Sequence, residues 1–415
     1  MSLKTELQQK IKVAQVLGSK KILLLPFALL YVGGLLLLSR VIRVNIHPIV
    51  NSRIGHFATN TELTILKVKE RKNRTNKREI NLFCATSAKS CNASLEKMWY
   101  RNIKIKTGDW GWVLNDISKR LKSADFYQES TALDREGRLI DFPPSLNFTV
   151  TEMAIGEKFL HKNNISNLEK FVCLNVRDSS FLAESENLAW SKSRDWSYHK
   201  YRDSDISTYV AAAEALAEMG YTVFRMGAIV EKPLYSKHPR VIDYATNGMR
   251  TEFLDIYLGA YCKFCVSTGS GWDSIPQIFR RASLYVNLVP IFSPECVVRD
   301  LLIYPKILQD DLTKDELGLD EIIERNVLGS FLPAEYADAG VAIRDMNSQE
   351  LVEAVTEMAA RVEGTFVETQ EQKQMQAKLR GTFRTHPKLQ LTPDYYPIRS
   401  EFASSFLSRY SNFLS

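Results

Sequence analysis

Short apolar runs alternate with helix-like patterns through the second half of this chain, and that alternation constrains its fold more than any other feature. Residues 171–176, 222–225, 263–266 and 284–288, with a shorter run at 241–242, read as strands, and residues 206–219 and 251–261 read as helices between them. Strands separated by helices pair in parallel, because each return across a parallel sheet needs a crossover long enough to hold a helix. The first half repeats the pattern more loosely. Strands are expected at 41–46 and 80–85, a glycine-containing loop at 51–60 leads to a helix at 61–69, and another helix runs from 93 to 100. Residues 141–149, with Pro143 and Pro144 side by side, break the periodicity and read as an interdomain connection; Thr149 and Glu152 then carry a capping-box signature. The expected class is α/β, two open sheets with a cleft between them. Its domains are 41–148 and 149–345, preceded by 1–40 and followed by a charged helical region at 346–415.

Residues 22–38 carry no charge and come close to the shortest length that crosses a bilayer. A polar segment precedes them and no small-residue cleavage site follows, which argues against a removed leader. Lys20 and Lys21 lie before the run, and Arg40, Arg43 and Arg53 after it, so the positive-inside bias draws both ends toward the cytoplasm. Pro26 and the Gly33-Gly34 pair favour a re-entrant or interfacial anchor, in competition with the single span adopted here. Either way the large domain is expected on the cytoplasmic side of the inner membrane, with membrane lipid as a partner. Lys67, Lys69, Arg71, Lys72, Arg74, Lys77 and Arg78 form a basic stretch, read as a solvated loop or a contact for anionic headgroups. No nucleic-acid-binding motif accompanies it, so no nucleic acid partner is expected.

The six cysteines are too scattered for a disulfide scaffold. Cys262 and Cys265 have the spacing of half a zinc site, but they fall in an apolar strand with no second pair and read as core. There is no phosphate-binding loop of the Walker kind, no nucleophile elbow and no zinc-protease helix.

Polar residues gather instead at the carboxyl ends of the expected strands, where open parallel sheets bind ligands. Arg177 follows the run at 171–176, Arg225 and Gly227 close the one at 222–225, and Asp243 follows 241–242. Ser267, Thr268, Gly269, Ser270 and Gly271 then lead into a helix start that Asp273 can cap and where Pro276 is tolerated. Guanidinium groups bind phosphate bidentately, and helix-start amides lack internal partners, so the set reads as a diphosphate cradle. An ion pair with a carboxylate is the alternative for each arginine. In the first half, His56 is the candidate base for an acceptor hydroxyl, with Glu62 second, and Arg53, Gly55 and Asn60 are acceptor-binding candidates around it. Residues 195–205 suit a substrate loop or an exposed connection, and the Asp203, Ser204, Asp205 triplet reads as helix capping rather than as a metal site.

Taken in order, Arg53-Ile-Gly-His-Phe-Ala-Thr-Asn-Thr-Glu-Leu63, Val176-Arg-Asp-Ser179, Tyr201-Arg-Asp-Ser-Asp205, Phe224-Arg-Met-Gly227, Ile242-Asp-Tyr-Ala245 and Ser267-Thr-Gly-Ser-Gly271 resemble a bacterial family of glycosyltransferases linked to surface polysaccharide synthesis. The resemblance covers residues 41–345. It implies a GT-B architecture, two Rossmann-like domains with the nucleotide-sugar held mainly by the C-terminal one. It also implies Arg177 against the donor diphosphate, as in fucosyltransferase-like enzymes, and a glycine loop at 53–56 placed as in heptosyltransferases. Trp272 departs from the smaller aliphatic residue expected of relatives. The function so implied is hexosyl or deoxyhexosyl transfer from a nucleotide-sugar to a glycolipid or polysaccharide acceptor, inverting, metal-independent and without a cofactor. A non-catalytic, membrane-anchored scaffold of polysaccharide assembly is the alternative, and transfer of another group such as pyruvyl a third.

Overall fold

The computed structural model describes residues 19–75, 78–121, 126–165, 170–181, 197–292, 301–391 and 399–414. The chain divides into two compact units, Met1–Ala132 and Leu133–Ser415. The division therefore falls before the proline-rich segment expected to connect two domains. That segment belongs to the second unit: Arg280 Nε donates to the Phe142 carbonyl at 3.1 Å, and Phe148 packs against Tyr257 and Tyr261. Its prolines mark a strap along one unit, which disrupts periodicity as thoroughly as a linker does.

The first unit opens with helix α1 (Ser19–Leu38) and continues through β1 (Arg43–Ile49), α2 (Ile54–Thr75), β2 (Glu79–Ala85), α3 (Ala93–Asn102), β3 (Ile105–Lys106) and α4 (Gly108–Arg120). The strands form a parallel sheet in the order β1-β2-β3, with Arg43 opposite Glu79 and Ile49 opposite Ala85, and Ile46 also bridges to Tyr127. Ala28 and Val32 of α1 pack with Val44, Ile46, Val113 and Leu114, so one side of the apolar helix is part of this unit's core. The expected loop at 51–60 is mostly helix. Phe57, Ala58 and Leu63 are buried on α2, and Gly55 sits in its first turn, where it does not interrupt the hydrogen-bond ladder. The basic stretch at 67–74 thus lies on the last turns of α2, where the helix dipole favours cations.

This sheet has a polar interior. His47 Nε2 lies 2.8 Å from Asn81 Oδ1, and Asn45 Nδ2 donates to the same oxygen at 3.2 Å. Burial pushes the His47 pKa down to about 4 against this hydrogen bond, so the ring is neutral and stacks on Phe83 with centroids 5.1 Å apart.

The second unit is built on a seven-stranded, all-parallel sheet. Its elements are α5 (Val150–Lys162), β4 (Phe171–Asn175), α6 (Val210–Glu218), β5 (Thr222–Arg225), β6 (Val241–Ile242), α7 (Glu252–Tyr261), β7 (Phe264–Ser267), α8 (Ser274–Ile278), β8 (Ala282–Leu288) and β9 (Leu301–Pro305). A side hairpin of β10 (Ile307–Asp310) and β11 (Val341–Arg344) follows, then α9 (Ser348–Val362), α10 (Gln370–Thr385), β12 (Glu401–Phe402) and α11 (Ser404–Arg409). In space the order is β12-β9-β8-β7-β4-β5-β6. The expected capping box of α5 is present, with Thr149 and Glu152 each bonded to the other's backbone. Both sheet faces are covered, as parallel strands require. Val172, Leu174, Val223 and Val266 pack on one side under α6 and α9, and Phe171, Cys173, Phe224 and Cys265 on the other under α5 and α7. Cys262 and Cys265 are free, buried thiols of that second core. Gly156 allows α5 to approach α7 closely: a Cβ there would meet the Tyr257 ring at 2.1 Å. The final helical region is not separate, since α9 packs on α6 and β8 and β12 pairs with β9.

Candidate functional site

The strand order reverses between β4 and β7. The chain proceeds outward from β4 to β5 and β6, returns to lay β7 on the other side of β4, and continues through β8 and β9. Loops that leave β4 and β7 therefore diverge and open a crevice at their carboxyl ends, the place where such sheets bind ligands. The first loop carries Arg177, and the second is Thr268–Gly271 by position, leading into the short helical turn at Gly271–Asp273.

Asn175, the last residue of β4, organises this crevice. Its Nδ2 donates to Ser270 Oγ at 2.6 Å and to Asp273 Oδ1 at 2.9 Å. Ser267 Oγ donates to the same Asp273 oxygen at 2.5 Å, and the Ser270 amide donates to the other. Ser270 is therefore the cap of the short turn, in a capping box with Asp273, whereas Asp273, expected from the sequence to cap α8, makes no side-chain cap bond to it. Thr268 Oγ1 accepts from the Arg177 amide at 2.9 Å and ties the two loops together. Gly269 turns the chain with φ +76, and a Cβ there would meet Leu288 Cδ1 at 3.2 Å. The hydroxyls expected to face a ligand thus shape the loop.

The charge beside the loop comes from two arginines. Arg202 Nη2 donates to the Gly269 carbonyl at 2.9 Å. Arg177 Nε lies 3.1 Å from Asp203 Oδ1, near enough for an ion pair but not aligned for a hydrogen bond. Burial, and then the charge of Arg202, hold the Arg177 guanidinium below its usual range while Asp203 pulls the other way. Burial likewise raises the Asp203 pKa against the attraction of Arg177. Both partners are displaced toward neutrality, so for each the loss of water outweighs the pairing. Among the described residues, Arg177 Nε and Arg202 Nε are buried without a hydrogen-bond partner, as Arg225 Nε is.

Next to Arg177 lies a cavity of about 250 Å³ lined by Asp178, Asp203, Asp205, Glu231, Asp345 and Lys232 among others. Its walls are chiefly acceptors, a poor seat for phosphate and a good one for hydroxyls. Lys306, 3% exposed, closes this side by donating to the Asp203 carbonyl at 2.9 Å and pairing with Asp345 at 2.6 Å. Asp205 caps the short helix at Ile206–Tyr209 through the Ser207 amide, as the capping reading of the triplet expects. Residues 195–196 of the expected substrate loop lie outside the described residues.

Arg225, Gly227 and Asp243 do not join this group. Leu174 pairs with Arg225, whereas Asn175 pairs with Ser267, so the Arg225 side chain leaves the sheet on the face opposite the Asn175 and Ser267 side chains. It is fully buried, with Nη1 3.3 Å from Asp243 Oδ1 and Nη2 donating to the Lys232 carbonyl at 3.0 Å. Asp243 Oδ2 also accepts from the Leu234 amide and from Thr246 Oγ1, at 2.8 and 2.6 Å. Gly227, at φ +152, leaves room for Val230, whose Cγ1 a Cβ would meet at 2.4 Å. These three residues hold the segment between β5 and β6. Trp272 is likewise a packing residue: its Nε1 donates to the Asp255 carbonyl at 3.1 Å, and its ring lies where a Cβ on Gly259 would stand 3.1 Å away.

In the first unit, Arg53, Gly55, His56 and Asn60 sit at the carboxyl end of β1, in and before the first turns of α2. His56 Nδ1 lies 3.2 Å from Asn60 Oδ1, one helical turn on, and Asn60 Nδ2 donates to Ser130 Oγ at 2.8 Å. Glu62 is buried in α2. Asn175 and Arg202 were missed from the sequence. Asn175 is the polar residue near the end of the apolar run at 171–176, and Arg202 lies inside the Tyr201–Asp205 block, so both carried a signal. Among the described residues no group of three or more His, Cys, Asp or Glu is placed to hold a metal.

No protein-family model matches the chain, and no curated protein matches it. Three solved structures align with it at low identity. An ADP-heptose lipopolysaccharide heptosyltransferase II from E. coli shares 13% identity over 71% of this chain and 97% of its own, with a TM-score of 0.30. A glycosyl transferase of family 9 from Veillonella parvula shares 8% over 77% and 98%, with a TM-score of 0.42. The iron-containing heptosyltransferase TibC, solved with ADP-D-β-D-heptose, shares 9% over 62% of each chain, with a TM-score of 0.31. Likenesses at such scores carry no functional weight; the mixed α/β fold rests on the strand order.

Proposed function

We propose that this chain is a glycosyltransferase that moves a sugar from a nucleotide-sugar donor to a hydroxyl of a glycolipid or polysaccharide acceptor. The observation that carries the reading is the pairing of Arg177, buried beside Asp203, with Arg202 at the switch point of a doubly wound parallel sheet, against a tight glycine turn. The donor diphosphate would lie along these guanidiniums and the Gly269–Gly271 backbone, meeting the buried donors that Asp203 leaves short. The carboxylate-lined cavity beside them would accept hydroxyls of the sugar or ribose, as acidic residues at such crevices do. In the reaction, the acceptor oxygen bonds to the anomeric carbon while the bond from that carbon to the diphosphate oxygen breaks. The acceptor proton passes to a base, assigned to His56, and the electron pair leaves with the nucleoside diphosphate. With His56 as the single base, direct displacement of the diphosphate by the acceptor oxygen would invert the anomeric carbon.

Thermal denaturation of the full chain with ADP, UDP, GDP and CMP tests this reading, since a ligand of the folded form raises its melting point. One nucleoside diphosphate should raise it, and Arg202→Ala should weaken that ligand roughly 10- to 100-fold. His56→Ala should abolish turnover and leave the shift intact. A chain stabilised by none of these nucleotides, and with no donor hydrolysis, would instead be a scaffold.

A further inference from the structure

The first unit carries a second surface, independent of whatever the second unit transfers. Helix α1 is apolar all round, yet its sides are used differently. Leu24, Ala28, Val32 and Leu35, spaced by three and four residues, face the unit, where Ala28 and Val32 are 0% and 1% exposed. Lys21 fixes the start of this stripe, 3.7 Å from Asp109 and over the Trp112 ring, and Tyr31 meets Trp110 edge-on. On the other side Leu23, Phe27, Leu30 and Leu37 are 64% or more exposed. A helix crossing the bilayer as an independent span would strip its cover from α4 and from the core residues beneath.

The topology sets a basic rim beside this ridge. Helix α1 ends at the amino-terminal edge of the sheet, where β1 starts with Arg43 opposite Glu79. Helix α2 returns to the same edge before β2, so exposed Arg40, Arg43, Lys72, Arg74 and Arg78 gather there. A second copy of the chain would bring a like-charged rim against this one. Anionic headgroups would neutralise it, and the rings of Tyr31, Trp110 and Trp112 suit the headgroup boundary.

We infer that α1 lies in the plane of an anionic membrane, its outer ridge in one leaflet and both its ends on the same side. This replaces the single span expected from length and composition. Full chain should sediment with phosphatidylcholine vesicles containing about a third phosphatidylglycerol, and at least about tenfold less with phosphatidylcholine alone or in high salt. Leu23→Asp with Leu30→Asp should lower binding by a similar factor at unchanged melting temperature; if that pair unfolds the chain, Leu23→Gln with Leu30→Gln replaces it. In cell-derived vesicles, Ser19→Cys and Ser39→Cys should react with an impermeant maleimide from the same side. Reaction from opposite sides would establish a span and overturn the inference. So would a lipid-free dimer that the ridge substitutions dissociate, or equal binding to both vesicle types.

Discussion

Two arginines end neighbouring strands of the second sheet, and their fates differ by one residue of register. Arg225 pairs with Leu174 and turns into a packed face, where Asp243 and the Lys232 carbonyl take its two terminal nitrogens. Arg177, just beyond the end of β4, remains beside the crevice with Arg202, its guanidinium paired with Asp203. Position at a strand end does not make an arginine a ligand for phosphate; the pleat decides which face it serves.

Substitutions at the two positions should separate these roles. Arg225→Ala should cost about 3–5 kcal/mol in urea denaturation, because it strands Asp243 among buried groups, and should leave nucleotide affinity unchanged wherever the chain still folds. If it instead abolished nucleotide binding in a fully stable chain, the assignment of faces would be wrong. Arg177→Ala should show the reverse, a loss of about 2–3 kcal/mol in nucleotide binding with little change in the denaturation midpoint. Gly269→Ala probes the crevice side alone: φ +76 and the Leu288 contact predict about 1–2 kcal/mol of lost stability and weaker binding together. The most gradual effect is a pH slope from Asp255, the residue whose carbonyl anchors Trp272 behind the same loop. Burial raises its pKa from 3.8 to about 6 against Arg250. The folded chain therefore holds this proton where the unfolded chain has released it, and stability should fall as pH rises from about 4 to about 6, by at most about 1.4 kcal/mol per unit. Asp255→Asn should flatten that slope.

Much of the second unit was legible because its strands are short, apolar and regularly spaced; β5 and β6 fall at the residues expected of them, and the α5 cap is as read. What escaped were elements whose pairing, and not composition, makes them structure. β3 and β12 are two residues each, and α4 mixes tryptophans with acidic residues because one helix covers it and a sheet supports it. At the site, strand ends and the serine-glycine loop were visible. The alternation that sends Arg225 away was in principle visible too, but the register between β4 and β5 is set by packing. Arg202 was hidden by distance: it reaches Gly269 from 67 positions away in the chain.

The two-residue strand β12 has a mechanical role out of proportion to its length. Without residues 401–402 the outer edge of β9 would present bare amides and carbonyls, a template onto which another chain could add. A protein cut short after α10 should therefore fail by sticking to its own kind before it fails to bind anything, with the tail serving as a guard rail for the sheet.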